Sequence, residues 1–160
     1  MVVSFFIRNF AVEKQTKDLI MKREIKFRGK NSETKQWVNG DLLHVGNGFI
    51  ITINSELGET LPDNEYIGLA YRPDEIAVVI PETIGQFTGL LDKNRKEIYD
   101  GDIVIFDNHL QDISQIVYDY SGFYVDSKNN RTALRPTMNN HMIVVGNIYD
   151  NQELLKTETL

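Results

Sequence analysis

The apolar residues of this chain come in short runs, and Gly, Pro, Asn or Asp interrupts them about every ten residues. Many short strands with regularly spaced turn signals are typical of all-β sandwiches and barrels. We therefore predict a mostly β fold, a small barrel or sandwich of short antiparallel strands that includes an SH3-like element. A short helical turn at Asn151–Leu155 is expected to follow the last strand, with Asp150 or Asn151 as its cap.

The first predicted strand, Arg23–Arg28, shows the alternation of a half-buried strand. Ile25 and Phe27 share one face, and Glu24, Lys26 and Arg28 share the other. The alternation predicts that the charged face is solvated. Further strands are predicted at Gln36–Val45, Phe49–Ile53, Tyr66–Arg72, Glu75–Ile80, Ile84–Thr88, Ile103–Phe106, Ile113–Tyr118, Phe123–Val125 and Met142–Tyr149.

Glycines predict two particular features of the early strands. Gly40, inside the run 36–45, indicates a bend or a bulge within one strand. Gly46 and Gly48 supply positions for a tight reversal, so strands 36–45 and 49–53 are predicted to form a hairpin.

Composition and charge limit the classes of function. The chain has 160 residues and no cysteine, which excludes disulfides, thiolate metal sites and thiol catalysis. No apolar run approaches the roughly 18 residues that a membrane-spanning helix needs, and we expect no membrane association. The net charge of −6 combines +5 over residues 1–30 with −11 over residues 31–160. An acidic body disfavours nonspecific DNA binding, whereas the basic end leaves an exception.

The character of the sequence changes at Met21. We expect residues 1–20 to be an N-terminal extension, helical or disordered, residues 21–155 to form the β domain, and residues 156–160 to be a tail. The alternative is that residues 1–20 are a genuine N-terminal arm of the protein.

One segment, residues 82–104, is distinctive enough to identify a relative. This segment resembles the YopX family. Three further motifs match the family in order and spacing: Ile25–Lys30, Trp37 with Gly40–Leu42, and Val144–Leu155. This resemblance implies a β-rich fold and an origin in a bacteriophage or prophage. It transfers no catalytic residue.

Two departures from the family pattern are visible. Relatives usually have Asn-Gly where this chain has Asn94-Arg95, and they often have Pro where it has Gln152. Because Arg is disfavoured at positive φ, the first departure predicts a turn of another type. We expect structural roles in turns and bends for the following residues of the segment: Gly85, Gly89, Asp92, Asn94, Asp100, Gly101 and Asp102.

The same segment contains several acidic residues. Asp92–Glu97 begins like a calcium loop, but Glu97 stands at the glycine position and Ile103 at the position of the bidentate Glu. The alternative is a metal-dependent hydrolase that uses the carboxylates of Asp100, Asp102 and Glu97. The favoured interpretation is that Asp100 and Asp102 cap turn amides. We expect no metal, no cofactor and no catalytic residue, so the sequence favours a protein that is not an enzyme.

Three histidines and one serine are the remaining candidates for metal binding or nucleophilic catalysis. His44, His109 and His141 have no metal-ligand spacing, and Ser121 lacks the setting of a hydrolase nucleophile. Surface or turn roles are predicted for all four.

The sequence thus favours an accessory protein in the cytoplasm of a bacterial host that binds a host or phage protein. An exposed strand edge suits such binding, and a homo-oligomer can form by the same route. The alternative is binding of single- or double-stranded nucleic acid through basic residues of the first strand, with Phe27 stacking on bases. These candidate residues are Lys22, Arg23, Lys26, Arg28 and Lys30.

Overall fold

Two antiparallel sheets make up most of the chain. The computed structural model describes residues 24–53, 76–107 and 109–156. The first sheet has the strand order β4-β3-β2-β1-β5-β6, and the second has the order β10-β9-β8-β7-β11. The strands are β1 (Phe27–Lys30), β2 (Trp37–Val45), β3 (Gly48–Thr52), β4 (Ile76–Val79), β5 (Gly85–Leu91), β6 (Glu97–Tyr99), β7 (Asp102–Phe106), β8 (His109–Asp119), β9 (Gly122–Ser127), β10 (Asn130–Ala133) and β11 (Met142–Asn147).

Strand β2 changes its neighbour at Gly40. Its residues up to Gly40 pair with β1, and those from Asp41 onward pair with β3. A Cβ built on Gly40 would lie 1.7 Å from the carbonyl oxygen of Thr52, so this crossing requires glycine. The predicted bend within one strand is confirmed, as is the β2–β3 hairpin.

The first sheet curls until its edge strand β4 meets the end of β1. The Ser32 N–H donates to Val78 O at 2.8 Å, and the Ile80 N–H donates to Lys30 O at 2.9 Å. These bonds cover the outer side of β4.

The interior of this curl is apolar. Ile51, Ala77 and Val79 are at most 2% exposed and lie inside it. Gly29 of β1 is buried against them, because a Cβ at that position would lie 3.1 Å from Val79 Cβ. The small residue thus allows β1 to approach β3 and β4 closely.

A second apolar cluster lies on the inner face of the second sheet. Ile98 of β6 belongs to it, so the cluster connects the two sheets. A 3₁₀ helix at Pro136–His141 packs Met138 against it. The buried members are Ile98, Val104, Ile116, Val125, Met142 and Val144.

The mostly β, sandwich-like prediction is confirmed, and the short helix is present as α1 (Gln152–Leu155). The predicted strand at Arg23–Arg28 is shifted, because β1 begins at Phe27 and Ile25 is 51% exposed. Strand β11 ends at Asn147 and not at Tyr149, since the Asn147 Oδ1 accepts the N–H groups of Tyr149 and Asp150 and forms a turn.

Several predictions lie outside the described residues. They are the extension 1–20, the predicted strand Tyr66–Arg72, the tail residues 157–160, and Lys22 and Arg23. Within the described part of the chain, no helix is both long enough and apolar enough to cross a membrane.

Candidate functional site

A polar cluster forms where β1 of the first sheet meets β7 of the second. Arg28 Nη1 lies 2.6 Å from Asp102 Oδ1, and the two side chains are 12% and 1% exposed. The other oxygen, Asp102 Oδ2, accepts the Tyr99 N–H at 2.8 Å. Arg28 Nη2 also donates to the carbonyl oxygen of Asp100 at 3.1 Å. The pair therefore links the sheets and caps the turn between β6 and β7.

Aromatic rings flank the Arg28 guanidinium. Its central carbon lies 4.8 Å from the ring centroid of Trp37 and 4.8 Å from that of Tyr99. The Trp37 ring in turn lies 5.9 Å from that of Tyr149. Arg is suited to such a position, because its planar cation stacks on rings while it binds a carboxylate.

Two glycines make the close contact between β5 and the β6–β7 turn possible. A Cβ on Gly85 would lie 2.5 Å from the carbonyl oxygen of Asp100, so β5 and the β6–β7 turn touch there. Gly101 adopts a φ of 81° in that turn, a conformation that glycine takes without strain.

Lys26, which directly precedes β1, and Lys30 alternate with the residues between them and also bind carboxylates. Lys26 Nζ lies 2.5 Å from Glu97 Oε1, and Lys30 Nζ pairs with Asp150. The Trp37 Nε1–H donates to the second oxygen of Asp150 at 2.7 Å. The side chains of Lys26 and Lys30 are only 16% and 18% exposed. The prediction of a solvated charged face is therefore wrong, because Glu97, Asp102 and Asp150 pair with the cations and partly bury them.

Asp92 connects the β5–β6 turn to the second sheet. Its Oδ1 accepts the N–H groups of Asn94 and Lys96 at 2.8 and 2.9 Å, and its Oδ2 accepts the Val144 N–H at 3.0 Å. The carboxylate is 4% exposed. Asp92 thus fixes the turn and covers part of the outer edge of β11.

Asp100 connects the β6–β7 turn to β8 in a similar way. Its Oδ1 accepts the Tyr118 N–H at 3.0 Å. Asp100 Oδ1 and Asp102 Oδ2 thus accept backbone amides, while Asp102 Oδ1 pairs with Arg28. Among the described residues, no group of three or more His, Asp and Glu side chains is placed to hold a metal ion.

Burial and pairing move the pKa values in opposite directions across the cluster. Burial raises the pKa of Asp102, although the adjacent Arg28 lowers it, and burial also raises the pKa of Asp100. Burial likewise acts to raise the pKa of Asp150. Hydrogen bonds from Lys30, Asn147 and Trp37 outweigh that effect and lower it to about 2.

Arg95 and Gly89 have special backbone conformations near this cluster. Arg95 adopts a φ of 69°, so the predicted change of turn type is wrong and Arg occupies the position that glycine favours. The Asp92 carboxylate holds the turn amides and keeps this geometry. Gly89 has a φ of 85° inside β5, where the pairing with β6 shifts register. It therefore lies at an irregularity within a strand and not in a turn.

The tip of the β8–β9 hairpin has a different character. Asp119 pairs with Gly122, so the turn has two central residues, Tyr120 and Ser121. Tyr120 is 94% exposed and has a φ of 52°. Tyr118, which is 49% exposed, leads into the tip, and its ring lies 5.1 Å from that of Phe123. The tip therefore presents an exposed aromatic ring next to an edge-to-face pair of aromatic residues on β8 and β9.

The β2–β3 hairpin provides an internal comparison. Its turn also has two central residues, and again only the first of them, Gly46, has a positive φ, at 59°. This pattern is that of a type II′ turn, in which glycine is the usual first central residue. Tyr120 thus stands at the position that Gly46 occupies in the matching turn.

Sequence reasoning did not single out Tyr120. Its signal was present, since an aromatic residue stands directly before Ser121-Gly122 between two predicted strands. The pattern predicted a surface or turn role for Ser121, but periodicity does not reveal which turn residue has a positive φ.

Comparison with known proteins places the chain in a family. The family described as YopX protein matches residues 26–156. Among solved structures, the chain is similar to protein EF1440 from Enterococcus faecalis, with a TM-score of 0.56 and 22% sequence identity over 84% of this chain and 99% of that one. At this identity the likeness concerns the fold alone. No curated protein matches the chain. The family match covers most of the sequence, and the chain belongs to the YopX family.

Proposed function

We propose that this chain is a non-enzymatic accessory protein of phage or prophage origin that binds a protein partner in the cytoplasm of the bacterial host. Tyr120 carries this proposal. An exposed aromatic residue at the tip of a hairpin stabilises the fold little, because its ring buries almost no surface.

The backbone conformation of Tyr120 strengthens the argument. A sparsely populated backbone conformation with positive φ costs a non-glycine residue about 1–3 kcal/mol, and bulky residues are rare there. Strain of this kind clusters at functional positions. Tyrosine is also among the residues that most often anchor protein interfaces. We infer that Tyr120 inserts into an apolar pocket of the partner.

The contacts of the polar cluster favour this function over the two alternatives. Lys26, Arg28 and Lys30 are covered and paired with carboxylates, which leaves little free positive charge for nucleic-acid phosphates. Asp100 Oδ1 and Asp102 Oδ2 accept backbone amides and Asp102 Oδ1 pairs with Arg28, as in a structural cap.

Site-specific cross-linking tests the proposal. A photoreactive benzoylphenylalanine replaces Tyr120 in the full chain, which is expressed in phage-infected host cells. We expect a discrete cross-linked adduct on irradiation. Excess unlabelled wild-type chain should compete the adduct away, whereas excess Y120G chain should not.

The matched control carries the same probe at Asn47, an exposed residue of the corresponding β2–β3 turn. This probe should give no adduct. Equal labelling from both turns, or equal competition by the Y120G chain, would contradict a role for Tyr120 in binding.

A further inference from the structure

Within the described residues, the two sheets have four edge strands, and these differ in how their outer sides are covered. Strand edges expose backbone groups that other chains can pair with. The outer side of β4 is covered by the residues that follow β1. At β6, the Asp102 carboxylate accepts the Tyr99 N–H. At β11, the Lys93 N–H donates to Met142 O at 3.0 Å, and the Val144 N–H donates to Asp92. Three edges thus have partners from within the chain.

Strand β10 differs from these three edges. The Leu134 N–H donates to Phe123 O of β9 at 2.8 Å. Because backbone groups alternate in direction along a strand, Arg131 and Ala133 direct their N–H and C=O groups away from β9. Both residues are exposed. Over residues 24–53, 76–107 and 109–156, these outward groups have no hydrogen-bond partner.

The outer edge of β10 is positively charged, whereas the whole chain has a negative net charge. Residues 128–135 contain Lys128, Arg131 and Arg135 and no acidic residue, whereas the net charge of the chain is −6. All three cations are exposed. Arg131 is paired with Asp119 at 2.8 Å. Within the described part of the chain, Lys128 and Arg135 form no ion pair, so their charges are available to a ligand.

We propose that the outer edge of β10 binds an extended acidic segment of a protein partner, which adds to the second sheet as a further strand. Main-chain hydrogen bonds to Arg131 and Ala133 supply the pairing, and Lys128 and Arg135 select acidic side chains. The inference deepens the proposed function and rests on it, since it names the kind of segment that the partner supplies.

Arg131 places this edge beside the hairpin tip. Its guanidinium binds Asp119, the residue before Tyr120, and lies 5.0 Å from the Tyr124 ring centroid. A single partner can therefore contact both β10 and Tyr120.

A peptide of alternating Glu and Val, labelled with fluorescein, is the test ligand. Its fluorescence anisotropy is measured with the purified full chain. We expect binding that weakens as salt rises, and no binding of the same peptide with Lys in place of Glu. A Glu peptide with N-methylated backbone amides should also fail to bind, because it cannot pair with the edge.

Two variants of the chain locate the site. A133P removes one outward donor and keeps the bonds to β9, since proline is tolerated on edge strands. We expect it to weaken binding about tenfold, the effect of one hydrogen bond. The double variant K128E/R135E should weaken binding further, whereas K35E, which changes an exposed charge in the loop between β1 and β2, should leave the affinity unchanged. Thermal unfolding confirms that each variant is folded.

Equal binding of the Glu and Lys peptides, or unchanged affinity of folded A133P, would overturn strand addition at β10. Two further outcomes distinguish strand addition at β10 from partner binding by Tyr120. A Tyr120 adduct without peptide binding overturns strand addition alone. Peptide binding that persists in Y120G, together with no Tyr120 adduct, overturns the role of the tip.

Discussion

Arg28 and Asp102 belong to different sheets, yet their charged groups meet 2.6 Å apart in a nearly buried position. A buried pair of this kind contributes little net stability against an apolar replacement of both partners, but loss of one partner leaves an uncompensated charge. The cluster around Arg28 therefore makes the junction of the sheets sensitive to single substitutions.

Replacement of Arg28 by Met should destabilise the protein by about 3–5 kcal/mol at neutral pH. Burial already raises the pKa of Asp102, and removal of the cation raises it further. A raised carboxyl pKa means that ionisation costs stability, so the deficit of R28M should shrink as the pH falls through the folded-state pKa. Urea unfolding across the acidic range measures this. R28K retains the charge and should recover part of the loss, whereas a pH-independent deficit would contradict the assignment.

Replacement of Asp150 by Asn should lower stability by about 1 kcal/mol at neutral pH, after allowance for solvent screening of this partly exposed group. Its pKa of about 2 lies below the ordinary value of 3.8. Asp150 therefore stabilises the fold above pH 3.8, and this contribution is lost as the pH falls through about 2. The unfolding curves of wild type and D150N should converge at the acid end. A constant difference at every pH would show that Asp150 acts without titrating.

Replacement of Gly40 by Ala should destabilise the first sheet by more than about 3 kcal/mol. The new Cβ would lie 1.7 Å from Thr52 O, and the clash is with backbone that cannot rotate away. Gly48 is the matched control, because nothing lies within 4 Å of a Cβ built there. Chemical denaturation should show G48A close to wild type. Similar stabilities for the two variants would contradict the close approach.

Replacement of Arg95 by Gly should stabilise the protein by about 1 kcal/mol. The substitution removes the cost of a positive φ, about 1–2 kcal/mol, and adds a smaller entropic cost in the unfolded chain. Thermal unfolding measures the change. A fall in melting temperature would indicate that the Arg95 side chain makes a contact worth more than the strain.

Local patterns of the sequence predicted the fold class and most of the strands. The β2–β3 hairpin follows from Gly46 and Gly48, and the bend follows from Gly40, because backbone geometry dictates these residue types locally. Strand β10 was not predicted, since the run Asn130–Ala133 has neither an apolar alternation nor a strong strand propensity. It forms because its backbone pairs with that of β9.

The charged face of β1 shows why the candidate site was harder to predict. Alternation correctly separates Arg28 from Phe27, but it does not reveal that Asp102 and Asp150 approach from elsewhere in the chain. Charged residues on a strand are usually solvated, and only the tertiary structure shows that these are covered. The positive φ of Tyr120 was likewise not predicted, because composition does not encode a dihedral angle.

The hydrogen bonds of Asp150 have a consequence for the order of folding. This residue binds Lys30 and Trp37, which lie 120 and 113 positions earlier in the chain. Contacts of such long range form slowly, because the intervening chain must first be ordered. During synthesis, the polar face of β1 therefore stays uncovered until β11 and the turn that follows it have left the ribosome. We expect a nascent chain that ends before β11 to expose this face and to be sensitive to proteases, whereas the finished chain folds as one cooperative unit.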